Sequence, residues 1–97
     1  NDIADAEEEI TDNPMYLILN LARVLAYLKD GLVLSKKEGG EWGINHIPEM
    51  YHGLMQDAMR EYTEGVDITY EINLAKDYAG YMVEQITNVR KKDRSIL

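Results

Sequence analysis

The stretch Asn13 to Gly31, NPMYLILNLARVLAYLKDG, decides the fold. Asn13 is a good N-cap and Pro14 suits the first helical position, where its missing N–H costs nothing. Tyr16, Leu17, Ile18, Leu19, Leu21, Val24, Leu25, Tyr27 and Leu28 follow, and they cover nearly the whole circumference of a helix. A helix apolar all round is a central one, covered by neighbours. Gly31 closes it. Asn20 and Arg23 are polar among these apolar residues. A buried arginine must find a carboxylate or carbonyls, and a satisfied internal ion pair is the expectation for Arg23.

Working outward, Asp2 to Ile10 carries Asp2, Asp5, Glu7, Glu8 and Glu9, with Asp12 beyond it. A solvated, fraying helix is expected there. Downstream, Ser35 and Glu38 form a capping box, so a third helix starts near Lys36. Gly39 and Gly40 in its first turn each cost about 1 kcal/mol relative to alanine. Either another helix packs on that backbone or a ligand approaches it. Pro48 ends this helix and opens a fourth, from Glu49 to about Thr63, whose apolar stripe is Met50, Leu54, Ala58, Met59 and Tyr62. Gly65 stops it.

A last helix is expected over Thr69 to Lys92. Ile68, Ile72, Ala75, Ala79, Met82, Ile86 and Val89 recur at spacings of four and three, one clean face. Arg90, Lys91, Lys92 and Arg94 cluster at its end, where cations complement the helix dipole. The whole of 1–97 reads as a single all-α domain, a bundle of four to five helices.

Composition limits what such a domain does. Ten basic and 18 acidic residues leave a net charge of −8. That argues against a nucleic-acid partner, which needs a basic surface. There is no cysteine, which removes disulfides, thiolate zinc sites and cysteine nucleophiles. No apolar run is long enough to span a membrane, and a cytoplasmic location is expected. The chain opens on Asn1 rather than Met, so a processed or truncated product is expected.

His46 and His52 lack metal-ligand spacing, and no catalytic motif is present, so no catalytic residue and no metal ligand is assigned. Seven tyrosines and no phenylalanine suit the rim of a core or of a cleft. Lys36, at a helix start beside two glycines, is a reasonable anion site.

The stretch from Asn13 to Tyr62 resembles the helical C-terminal domain of bacterial aminoglycoside adenylyltransferases of the streptomycin/spectinomycin type. The matching features are LNLARVL (19–25), SKKEGGEW (35–42) and a proline-started helix ending in EY (61–62). The resemblance implies an antibiotic-resistance enzyme with an N-terminal nucleotidyltransferase domain that holds Mg²⁺ and the catalytic base. The present chain then closes over ATP and offers a wall to the antibiotic, and is not active alone. It places nucleotide binding on Lys36 and Tyr62. It places substrate binding, for a cationic amino-sugar, on Glu9, Asn13 and Tyr16. Trp42 is expected to be a core anchor. The alternative is a small acidic interaction module whose face from Ile68 to Val89 pairs with a partner or with a second copy.

Overall fold

A computed structural model describes the backbone of residues 2–96 and the side chains of residues 5–92 except Glu7. The side chains of Asp2, Glu7 and Arg94, part of the charge runs above, lie outside that set. Five α-helices follow one another: α1 (Asp2–Asp12), α2 (Pro14–Asp30), α3 (Lys36–His46), α4 (His52–Glu64) and α5 (Ile72–Ile96). A single 3₁₀ turn, Glu49–Tyr51, precedes α4, and the described residues form no strand.

The expected central helix is central. α2 packs against α1, α3, α4 and α5, and buries Ile18, Leu19, Leu21, Ala22, Leu25 and Ala26. Each fully buried leucine or isoleucine contributes about 2 kcal/mol of transfer free energy. The covering is incomplete, because Tyr16, Val24 and Tyr27 stay exposed along one stripe of α2. Gly31 and Gly65 end α2 and α4 in left-handed backbone, with φ of 68° and 69°, a conformation glycine adopts without a Cβ penalty.

Several local expectations are corrected. α1 is docked rather than merely solvated: Ala6 and Ile10 are buried and the helix packs chiefly on α5. Pro48 does not open α4 directly, because the 3₁₀ turn intervenes and α4 begins at His52. The stripe foreseen on α4 is buried only at Leu54 and Ala58, joined by Met55, while Met50 and Tyr62 are exposed. α5 starts at Ile72, not Thr69, because the Glu71 carboxylate accepts from the N–H groups of Asn73 (3.1 Å) and Leu74 (2.6 Å). That leaves Ile68 outside the helix, in the connection, half-buried against the core.

The face of α5 is spent inside the domain. Ala75, Ala79, Met82 and Ile86 are buried, with Tyr78 among them. Tyr78 donates its hydroxyl proton to the carbonyl of Ile18 at 2.7 Å. The tyrosine excess therefore has a physical use. Tyr51 and Tyr70, also buried, donate to Asp77 and Glu61, so each ring fills core while its hydroxyl is satisfied.

Candidate functional site

The connection from Gly31 to Ser35 runs back along α2. The N–H of Leu32 reaches the carbonyl of Ala26, and the Nε–H of Arg23 donates to the carbonyl of Leu34 at 2.7 Å. The chain then enters α3 through the expected capping box. Ser35 Oγ accepts from the N–H of Glu38 at 3.1 Å, and Glu38 Oε1 accepts from the N–H of Ser35 at 2.9 Å. The hydrogen bond from the Ser35 backbone holds the Glu38 carboxyl below the ordinary carboxylate range, with the Ser35 hydroxyl adding to the effect.

The two glycines of α3 are explained by packing. A Cβ on Gly39 would lie 2.5 Å from Cγ of Arg23, and one on Gly40 would lie 2.6 Å from Cγ of Met59. Gly43 extends the contact, its Cβ position lying 2.9 Å from Sδ of Met55. Only glycine lets α3 approach α2 and α4 so closely.

Lys36 is the first residue of α3. Its ammonium lies over the Tyr16 ring at 4.5 Å from the centroid and 5.4 Å from that of Tyr62. Both distances fall within cation–π range. Among the described residues Lys36 makes no ion pair. Three elements thus converge: α2 supplies Tyr16, α3 supplies Lys36 and α4 supplies Tyr62. Both tyrosines keep about half of their surface open, 48% and 47%. The structure brings these three sequence-assigned residues together.

Glu9 and Asn13 lie at the α1–α2 corner, both exposed. The Asn13 N–H donates to the Glu9 carbonyl at 2.8 Å, so the two are one helical turn apart, and Tyr16 lies nearly one turn further on. No hydrogen bond or ion pair links either side chain to Lys36. Asn13 occupies the N-cap position of α2, but its side chain makes no capping bond, so the capping role read from sequence is positional only.

Sequence reasoning missed two arrangements. Arg23 was expected in an ion pair, yet it binds the Leu34 carbonyl and Asn20 Oδ1, the latter from a terminal guanidinium nitrogen at 3.0 Å. Carbonyl and amide oxygens replace the carboxylate because the returning loop places a backbone acceptor directly beside the helix. Tyr16, expected on the substrate side, also has its ring beneath the Lys36 ammonium. The seven-residue spacing of Tyr16 and Arg23, two helical turns, is the signal that puts both on one face of α2. Trp42 is the anchor expected of it: it is buried, its indole N–H donates to Asp30 at 2.9 Å, and its ring stacks on His46 at 4.2 Å. His46 Nδ1 donates to the Trp42 carbonyl at 2.7 Å, and His52 Nε2 to the Ile47 carbonyl at 3.0 Å.

Fold and site together define a small all-α domain that carries a lysine, unpaired among the described residues and flanked by two aromatic rings, at a helix start. The family model for the C-terminal domain of aminoglycoside adenylyltransferase matches residues 1–85, and the chain belongs to that family. Comparison with curated proteins and with solved structures gave no match. No described helix is long and apolar enough to cross a membrane.

Proposed function

We propose that this chain is the closing domain of an O-nucleotidyltransferase that moves AMP from Mg-ATP to a hydroxyl of a cationic amino-sugar antibiotic. The observation that carries the reading is the Lys36 ammonium, unpaired by any described carboxylate and held between the rings of Tyr16 and Tyr62. Ring faces attract a cation without neutralising its charge. The ammonium is therefore oriented yet still available to a polyanion, beside the free N–H groups of a helix start.

When bound, ATP supplies the AMP group, with a bond from the acceptor oxygen to the α-phosphorus forming as that to the pyrophosphate oxygen breaks. Lys36 binds and orients the phosphates, and catalysis of such transfer is chiefly positioning and charge neutralisation. Tyr62 offers its half-open ring to the nucleotide. Among the described residues no group of three or more His, Cys, Asp or Glu is placed to hold a metal ion. We assign Mg²⁺ and the catalytic base to an N-terminal nucleotidyltransferase domain, the partner of this one, a reading supported by the chain's membership of the adenylyltransferase C-terminal domain family.

On the substrate side Glu9 supplies a carboxylate, Asn13 an uncommitted amide and Tyr16 a ring edge, all on the exposed corner of α1 and α2. A cationic substrate is drawn to a surface of net charge −8 before any specific contact forms.

The test is AMP transfer by the enzyme containing this domain, with ATP and the amino-sugar varied separately. Glu9→Gln raises KM for the amino-sugar and leaves KM for ATP alone, while Tyr62→Ala does the reverse. Equal effects of both variants on both substrates contradict the assignment of sides. The interaction-module reading draws no support from α5, where Ala75, Ala79, Met82 and Ile86 of the face on which it rests are buried in the domain's own core.

A further inference from the structure

We propose that Asp30–Gly31 is the site at which this chain converts an aspartate to isoaspartate, and that the indole of Trp42 controls the rate. Asp30 is the only Asp or Asn in the chain that is followed by glycine. The backbone nitrogen after an aspartate can attack the side-chain carboxyl carbon, and glycine, with no Cβ, leaves that nitrogen least hindered. The dipeptide also lies at the surface. The Asp30 side chain is 44% exposed, Gly31 is exposed, and nothing lies within 4 Å of the Gly31 Cβ position.

The conversion is a dehydration followed by a hydrolysis. The Gly31 nitrogen forms a bond to Cγ of Asp30, and one carboxyl oxygen leaves as water, carrying the amide proton and a carboxyl proton. A five-membered succinimide results. Water then adds to either carbonyl of that ring. Cleavage of the bond from nitrogen to Cγ restores aspartate. Cleavage of the bond from nitrogen to the Asp30 backbone carbonyl leaves the chain running through Cγ, as isoaspartate. Water is the only co-reactant, released in the first step and taken up in the second.

The fold restrains both reacting groups. The Gly31 N–H donates to the carbonyl of Tyr27 at 2.9 Å, which keeps the nitrogen in the last turn of α2. Asp30 Oδ2 accepts from the indole N–H of Trp42 at 2.9 Å, and that ring is buried and stacked on His46. Ring closure needs Cγ and the nitrogen to turn toward each other, so both bonds must open. Helix ends fray readily, which frees the nitrogen often. The bond to a buried ring on another helix is the lasting restraint. Isoaspartate carries its carboxylate elsewhere, so conversion removes the Trp42 acceptor at the junction of α2 and α3.

The experiment incubates the chain in heavy-oxygen water, digests it in ordinary water and reads each aspartate by fragment-ion mass spectrometry. Every passage through the succinimide places one solvent oxygen in the residue. The expected result is labelling at Asp30 ahead of every other aspartate, with isoaspartate accumulating there. Trp42→Phe, folded by its helical content, raises the rate at Asp30 about two- to tenfold, the population change that one lost hydrogen bond produces. Tyr78→Phe removes a hydrogen bond far from the site and leaves the rate unchanged. Labelling led by another aspartate overturns the proposal, as does an unaltered rate in folded Trp42→Phe. Equal acceleration by Tyr78→Phe overturns it also, since general stability then sets the rate. Should Trp42→Phe not fold, the unsubstituted chain answers in rising urea below its unfolding midpoint. There the labelling rate at Asp30 climbs in step with hydrogen exchange of the Trp42 indole N–H, read by NMR, and labelling that climbs without that exchange overturns the control by Trp42.

Discussion

The hydroxyl of Tyr78 donates to the carbonyl of Ile18 at 2.7 Å, joining α5 to α2 across 60 residues of sequence. The ring is completely buried, and burial pushes the phenol well above its ordinary pKa. The bond ties the longest helix to the central one near the end of α2 that carries Tyr16. Tyr78→Phe keeps the ring and removes the bond. It lowers stability by about 1 kcal/mol, the usual net worth of one buried hydrogen bond, readable as a lower denaturation midpoint at unchanged slope.

Glycine-to-alanine substitutions separate close packing from mere flexibility. Gly53 lies in α4 with nothing near its Cβ position. Gly53→Ala raises stability by about 0.5–1 kcal/mol through helix propensity alone. Gly39→Ala gains the same propensity but drives a methyl into the stem of Arg23, which is held by two hydrogen bonds. Overpacking of that kind costs about 1–3 kcal/mol, so Gly39→Ala is destabilising. Opposite signs in thermal unfolding are the expected outcome.

Most of the architecture was legible in the sequence because its signals are local. The Ser35–Glu38 box, Gly31 and Gly65 mark helix ends by chemistry that acts within one turn. The boundaries that went wrong depend on other chemistry. Glu71 caps α5 with a carboxylate from a position where threonine or serine is the usual guide, and Pro48 leads into a 3₁₀ turn before α4. The role of Arg23 was hidden because its acceptor is the backbone of a returning loop, which no side-chain pattern records. Lys36, Tyr16 and Tyr62 could each be singled out along the chain, but their meeting is set by how close three glycine contacts let α3 approach.

The capping box gives stability an acid limit. The folded-state pKa of Glu38 lies below its ordinary value of 4.5, so its contribution is present above that value and is lost as pH falls through the folded pKa. Glu38→Gln removes this part of the acid dependence while the amide oxygen still accepts from Ser35. Ser35→Ala costs about 1 kcal/mol at neutral pH, the usual loss for a cap. Melting curves at neutral and acid pH for both variants check the pair.

Tyr51 sets a limit on the alkaline side. Burial, then its hydrogen bond to Asp77 and the charge of that carboxylate, push its phenol from 10.0 up to about 12. The folded state thus holds a proton that the unfolded chain releases. Its stabilising contribution is complete below pH 10 and is lost as pH rises through about 12, following the linkage of proton binding to folding. Tyr51→Phe flattens this alkaline decline, measured as the denaturation midpoint against pH.

The most direct measurement is AMP transfer to an aminoglycoside by the enzyme containing this domain, with and without Lys36→Ala. Loss of one contact to a charged phosphate lowers kcat/KM by about ten- to a hundredfold, with the helical content and melting temperature of the domain unchanged. Transfer by Lys36→Ala at the rate of the unsubstituted enzyme would contradict the account.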